Sequence, residues 1–180
     1  DSHSPEELAS MLDASREEGL IAVEQHELLA RSLGFGEAPV SSVMVPRERI
    51  VHLRRESTPA EFEEVVVRTG HSRLPVVGRD RDDIVGFVHA KDLLTLRPDA
   101  RDRPLPERLL RTDLVEVDEG RTIEEAMVDL RRRRHHLGVV RGADGRTAGL
   151  VFLEDLVEQL VGDIRDESDR ERLPPSASDG

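Results

Sequence analysis

The sequence predicts an α+β protein made of two copies of one β-α-β-β-α unit, related by a pseudo-twofold axis and preceded by an N-terminal helical arm. The first observation behind this prediction is an internal repeat: HSRLPVVGRDRDDIVGFVHAKDLL (71–94) and LGVVRGADGRTAGLVFLEDLV (137–157) each give strand, polar turn, strand and helix. The second is that a sheet of about three strands, covered only in part by helices, leaves one apolar face exposed. Two units can bury these faces against each other, which explains why the unit occurs twice.

Composition limits the possible partners and chemistries. The chain has 180 residues, 37% of them hydrophobic, enough for one compact body. A net charge of -12, with only 2% aromatic residues, is unsuited to binding nucleic acid. The absence of cysteine excludes disulfides and thiolate chemistry. The chain does not begin with a basic region followed by an apolar stretch, so no signal peptide is predicted. It also contains no run of about 18 apolar residues, so no membrane span is predicted.

The N-terminal arm, residues 1–38, is predicted to hold two helices. Ser4 as N-cap, Pro5 at the first helical position and Glu7 begin the first, which should end near Gly19. The second spans about 23–33 and is expected to end at Gly34.

The first repeat unit is assigned to residues 39–98. A short strand is expected at 50–53, after the loop that contains Pro46. Thr58 and Glu61 form a capping box for a helix that Gly70 ends. Strands at 74–77 and 84–89, joined by the polar turn GRDRDD, are followed by a short closing helix at 92–96.

The second unit, residues 99–165, repeats this order at an offset of about 64 residues. It has a strand at 114–117, a helix that starts at the capping box of Thr122 and Glu125 and runs to about Arg134, strands at 137–140 and 148–152, and a helix at 154–161. Residues 166–180 have few apolar side chains and are predicted to be a disordered tail.

Four ordered motifs carry a family resemblance: SVMVPRERIV, GHSRLPVVG, DIVGFVHAKDLL and LEDLVEQLVGDIRDE. Over about 41–167 the chain resembles the tandem CBS domains, or Bateman module, of the CorC/HlyC-type membrane proteins related to the CNNM magnesium transporters. The resemblance implies a cleft between the two units that binds an adenine nucleotide, AMP or ATP, with or without magnesium. It also implies a homodimer, a transmembrane domain preceding the module in the intact protein, a place at the cytoplasmic face of the plasma membrane, and a role in magnesium or cobalt transport or efflux.

The same resemblance implies the residues of the nucleotide site. Asp92 and Asp155 match the aspartate that holds the ribose at the start of each closing helix, although either could simply stabilise its helix N-terminus. The family's Ser or Thr, three residues earlier, is His89 in the first unit and Phe152 in the second. Because Phe fills volume that a sugar needs, the sequence predicts a lower than ordinary ATP affinity at Asp155.

The phosphate and adenine sides of the site are also implied by resemblance. In HSRLP, Ser72 and Arg73, next to His71, would face phosphates, since an arginine fork suits that geometry; the alternative is a surface loop in which the arginine pairs with an acidic neighbour. The adenine would be flanked by the consecutive residues Met44, Val45 and Pro46, which could equally belong to the core.

The run RRRRHH, residues 131–136, is best interpreted as a solvated helix end, with anion binding as the lesser alternative. The spacing of its two histidines fits no metal motif, and no catalytic motif occurs in the chain. We therefore expect a regulatory binding module and not an enzyme. The rival expectation is a dimerisation module that has lost its ligand.

Overall fold

A computed structural model describes Gln25, Leu28, Gly34 and residues 36–172, with side chains described as far as residue 166. Gln25 and Leu28 are helical, and Gly34 has the left-handed φ of +76° that suits a glycine after a helix. The other parts of the predicted N-terminal arm lie outside the described residues.

The first unit is organised around one well-capped helix. Strand β2 is Leu53–Arg54, helix α1 is Pro59–Thr69, β3 is Arg73–Val77 and β4 is Ile84–His89, followed by a 3-10 helix at Ala90–Thr95. The capping box of Thr58 and Glu61 is present in both directions, and Gly70 ends α1 with φ +72°.

Two predicted elements of this unit differ from the structure. The strand predicted at 50–53 is Leu53–Arg54, because Ile50 closes a 3-10 turn by donating its N–H to the Arg47 carbonyl (3.2 Å). The closing helix, predicted at 92–96, is the 3-10 helix Ala90–Thr95, and it begins earlier because His89 caps it.

The second unit repeats the plan: β5 is Leu114–Asp118, α2 is Ile123–Arg132, β6 is Leu137–Arg141 and β7 is Thr147–Phe152. Helix α3, Leu153–Arg172, is longer than the predicted helix at 154–161. The structure differs from the predicted disorder at residue 166, since α3 continues as a helix to Arg172; the buried stripe of Leu156, Leu160 and Ile164 lies before that boundary. Residues 173–180 lie outside the described residues.

The two sheets are joined by an exchange of leading segments. Among the described residues, β1 (Val45–Pro46) precedes the first unit's own strands but pairs antiparallel with β7, giving a sheet of order β1-β7-β6-β5; the other sheet has the order β2-β3-β4. In the reverse direction Arg111, ahead of β5, forms an antiparallel bridge with Phe87 of β4. Each unit therefore completes the edge of the other, which an assignment of strands by sequence order does not anticipate.

The buried seam between the units confirms the fold class. One apolar cluster contains residues of both sheets: Val77, Ile84 and Phe87 from the first, and Leu137, Val139, Leu150 and Phe152 from the second. The rings of Phe87 and Phe152 lie edge to face, with centroids 5.6 Å apart. The faces that one unit would leave exposed are thus buried against each other.

A polar network joins the two units near the turns that connect β3 to β4 and β6 to β7. Asp82, in the turn between β3 and β4, accepts hydrogen bonds from the Arg47 guanidinium and the Thr147 backbone N–H. The Thr147 hydroxyl, in a side chain 1% exposed, accepts a bond from Arg141 (2.8 Å). The bond from Thr147 N–H to Asp82 crosses between the units, as does the bond that the Arg141 guanidinium donates to the Asp82 carbonyl (2.9 Å), whereas the Arg141–Thr147 bond lies within the second unit.

Candidate functional site

A cavity of about 280 Å³ lies where the two units meet. Its walls come from the segment after β1, the start of β3, the end of β7 and the start of α3: Val45, Arg49, Ile50, Val51, Gly70, His71, Ser72, Arg73, Leu74, Pro75, Leu150, Phe152, Asp155 and Glu158. Apolar side chains and cationic side chains share these walls, so the cavity can accept a ligand with one apolar and one anionic part.

The cationic wall follows directly from the end of α1. The left-handed Gly70 turns the chain out of the helix, and His71 and Ser72 stand exposed before β3 begins at Arg73. Arg73 is half-buried, and its Nε lies 3.8 Å from Oε2 of Glu154. The structure therefore brings Ser72 and Arg73, the two residues predicted to face phosphates, to the cavity together with the neighbouring His71.

Asp155 lies on the cavity at the first turn of α3. Its carboxylate is exposed, and within residues 36–172 it accepts no hydrogen bond. Partial desolvation raises the pKa of this carboxyl above its ordinary value, and Arg73 only partly offsets that effect. An exposed carboxylate without a partner is suited to accept hydrogen bonds from ligand hydroxyls.

Phe152 belongs both to the cavity wall and to the core. Its side chain is 6% exposed and is packed against Phe87 in the seam. Since the cavity of about 280 Å³ remains beside it, the ring occupies seam volume without filling the whole site.

Asp92, the predicted counterpart of Asp155, is not at the cavity. Its side chain accepts hydrogen bonds from Nη1 and Nη2 of Arg111 (2.5 and 3.2 Å) and from the His89 backbone N–H (3.3 Å). Burial works to raise the pKa of Asp92, but the Arg111 bonds and charge outweigh it, so the pKa lies below its ordinary value. The hydrogen-bonding capacity of this carboxylate is therefore already used by Arg111 and the His89 backbone.

His89 is likewise committed to a local contact. Its Nδ1 accepts the backbone N–H of Lys91 (3.1 Å), so the ring acts as an N-cap for the 3-10 helix. Desolvation and the nearby charge of Arg73 lower the pKa of His89, which favours the neutral, accepting form. His89 is not among the residues that line this cavity.

Only one of the three residues predicted around the adenine lines the cavity. Val45 does so, whereas Met44 is packed against the core of the second unit and Pro46 pairs with Gly149 in the strand ladder. Their contacts follow from the crossing of β1 to the other sheet.

The arginine run ends α2 with an unusual backbone. Arg134 has φ +55°, and the N–H of His135 bonds the Leu130 carbonyl (2.9 Å). His136 contacts Glu154 through Nδ1 (2.5 Å). Over the described residues there is no group of three His, Asp or Glu side chains that could hold a metal ion.

Some cavity residues were not predicted from the sequence: Arg49, Ile50, Val51, Leu74, Pro75, Leu150 and Glu158. Glu158 could have been found, since it lies three residues after Asp155 and so on the same helix face. Arg111, whose guanidinium donates hydrogen bonds to Asp92, lies in the irregular connector between the units. No local sequence pattern there indicates its contact with Asp92.

Comparison with known proteins gives consistent matches. The chain matches the CBS-domain family over residues 40–99 and 107–162. It is 35% identical over 169 residues to the magnesium and cobalt efflux protein CorC of Pasteurella multocida, covering 93% of this chain and 56% of that protein. It is 31% identical to a UPF0053 protein of Mycobacterium tuberculosis, covering 94% of this chain and 39% of that one. The chain therefore spans between about two fifths and just over half of these relatives.

A solved structure matches as well. The CBS domain of a bacterial CNNM/CorC family Mg²⁺ transporter in complex with ATP superposes with a TM-score of 0.64 at 33% identity, covering 77% of this chain and 98% of that one. In the part of this chain that is described, no helix is both long enough and apolar enough to cross a membrane.

Proposed function

Because this chain belongs to the CBS-domain family, as a tandem pair of the CorC/CNNM type, we propose that it is a regulatory module that binds an adenine nucleotide. The observation that carries the proposal is the cavity at the seam, whose walls combine apolar side chains, the cations Arg49 and Arg73, and the carboxylate of Asp155. The relative solved with ATP supports the ligand class. AMP and ATP, the latter with magnesium, are the ligands to test.

Each chemical part of a nucleotide has a suitable group in the cavity. Asp155 can accept two ribose hydroxyls, and the N–H and O–H donors of Arg73 and Ser72 suit phosphate oxygens. Apolar side chains such as Ile50 and Val51 offer a surface to the base. We assign the ribose to Asp155 and not to Asp92, because Arg111 already satisfies the Asp92 carboxylate.

Regulation follows from the position of the cavity. Residues of both units line it, so a ligand that contacts both can stabilise one relative orientation of the units over another. We propose that this change passes to a transmembrane part of a divalent-cation transport or efflux protein at the cytoplasmic face of the plasma membrane. The proposed cation is magnesium or cobalt, the proposed assembly is a homodimer, and the proposed role is not enzymatic.

A second candidate function rests on Phe152. An aromatic ring, 6% exposed, replaces the hydroxyl side chain that the resemblance leads one to expect at the ribose. The module would then be a structural dimerisation unit without a ligand.

Calorimetric titration distinguishes the two candidates. With AMP, ADP and ATP, each with and without magnesium, we expect at least one nucleotide to bind, and Asp155→Asn to weaken it by about tenfold through lost hydroxyl bonds. Asp163→Asn removes the same charge from the same helix away from the cavity and should leave binding unchanged. A wild-type chain that binds no nucleotide at millimolar concentration, yet sediments as a dimer, would instead establish the structural role.

A further inference from the structure

Glu154 lies beside the cavity with one oxygen held and the other unsatisfied. Its Oε1 is 2.5 Å from Nδ1 of His136, and its Oε2 is 3.8 Å from Nε of Arg73. Oε2 is buried and accepts no hydrogen bond from the residues described. At 3.8 Å the Arg73 contact is an attraction between charges without a hydrogen bond.

The geometry makes Arg73 a shared cation. It lines the cavity, where an anionic ligand would meet it, while Glu154 attracts it from the seam. A buried carboxylate oxygen without a donor is unfavourable, so Oε2 favours a closer approach of the guanidinium. Any phosphate bound in the cavity must therefore compete with this carboxylate for the same donor.

We propose that Glu154 is a specificity-determining residue: it competes internally for Arg73 and so limits how strongly the cavity prefers phosphate-bearing ligands over their neutral counterparts. This inference rests on the proposed nucleotide site and names a determinant of its selectivity. The hydrogen bond to His136 holds Glu154 in place when a ligand draws Arg73 away, so the competition needs no rearrangement of α3.

Glu154 differs from the other acidic side chains near the cavity. Asp155 and Glu158 line the cavity itself, where they can contact a ligand directly. Glu154 does not line it, and its contacts are with Arg73 and His136. Its influence on a ligand therefore passes through Arg73 and through its charge, and both depend on the number of phosphate charges that the ligand carries.

The test compares wild type with Glu154→Gln, which keeps the shape of the side chain and removes its charge. Adenosine, AMP and ATP are titrated calorimetrically at low ionic strength, where charge effects are strongest. We expect Glu154→Gln to tighten ATP binding by about fivefold, AMP binding by less, and adenosine binding not at all. Raising the salt concentration should reduce the gain for ATP.

Glu63→Gln is the matched control, since it also removes the acid from an arginine pair, the contact with Arg101 (2.7 Å), but on α1 and away from the cavity. It should leave the three affinities unchanged. If the variant and wild type bind ATP and adenosine in the same ratio, the role of Glu154 is overturned while the nucleotide site stands. If neither chain binds any of the three ligands, the proposed function itself fails, and unchanged adenosine affinity verifies that the variant's cavity is intact.

Discussion

Arg134 gives the sharpest test of the repeat, because it occupies a backbone conformation that favours glycine. It follows the end of α2 with φ +55°, and its N–H bonds the Arg131 carbonyl (3.1 Å). At the same place in the first unit, after α1, the residue is Gly70 with φ +72°. The two units thus end their first helix with the same left-handed turn but with different residues.

The expected gain from Arg134→Gly can be worked out from this geometry. A side chain in the left-handed region costs about 1–2 kcal/mol. Glycine also raises the entropy of the unfolded chain, which lowers the free energy of unfolding by about 0.4–1 kcal/mol. The net stabilisation should be about 0.8 kcal/mol, which corresponds to a rise in Tm of about 2–3 °C for a chain of this size.

The assay is urea unfolding of wild type, Arg134→Gly and Arg134→Ala. Because both variants lose the same charge at the helix end, the difference between them reports the backbone alone. We expect the glycine variant to be the more stable of the two, the reverse of the order inside a helix. Gly70→Ala should lose a similar amount, since no atom lies within 4 Å of a Cβ added at Gly70 and the cost is confined to φ.

Equal stability of Arg134→Gly and Arg134→Ala would refute the reasoning. It would mean that the left-handed turn relaxes without cost, and the correspondence between Gly70 and Arg134 would carry no energetic meaning.

Three further predictions concern the seam and the site. Arg111→Ala should destabilise the chain by about 2 kcal/mol, seen by urea unfolding, because it leaves the buried Asp92 carboxylate without its main partner. Thr147→Val should cost about 1 kcal/mol in the same assay, through the lost hydroxyl bond to Arg141 within the second unit; an unchanged midpoint would show that this bond contributes nothing to stability. Asp155 has a raised pKa, so its ionisation lowers stability as pH rises through and above its ordinary value of 3.8. Asp155→Asn should therefore be at least as stable as wild type at pH 7, with the advantage shrinking towards pH 4, while its nucleotide binding is weakened by about tenfold.

The elements that were predicted well depend on local signals. The capping boxes at Thr58 and Thr122 mark both major helices, and the apolar runs of β3 and β6 are the middles of their sheets. Strand β1 could not be placed in this way. It has two residues and takes its partner from β7, about a hundred residues away, so its position depends on tertiary pairing and not on its own sequence.

In the candidate site, too, some residues are placed by local sequence signals and others by tertiary contacts. His71, Ser72 and Arg73 reach the cavity because a helix end and a strand start fix where they stand. The sequence equally suggests Asp92 and Asp155, since both follow a strand and begin a helical segment. Only the position of Arg111, held by its bridge to Phe87, decides which carboxylate is already occupied.

The pseudo-symmetry of the fold is therefore broken at the candidate site by one contact. The exchange of leading segments brings Arg111 to Phe87 on one side, where its guanidinium binds Asp92. The same exchange brings Val45 to Leu150 on the other side, and valine has no group that could bind Asp155. An ion pair occupies Asp92 in the first unit, whereas an apolar strand leaves Asp155 open in the second, so only the second unit offers a carboxylate to the proposed nucleotide. A single chain should then bind one nucleotide and not two.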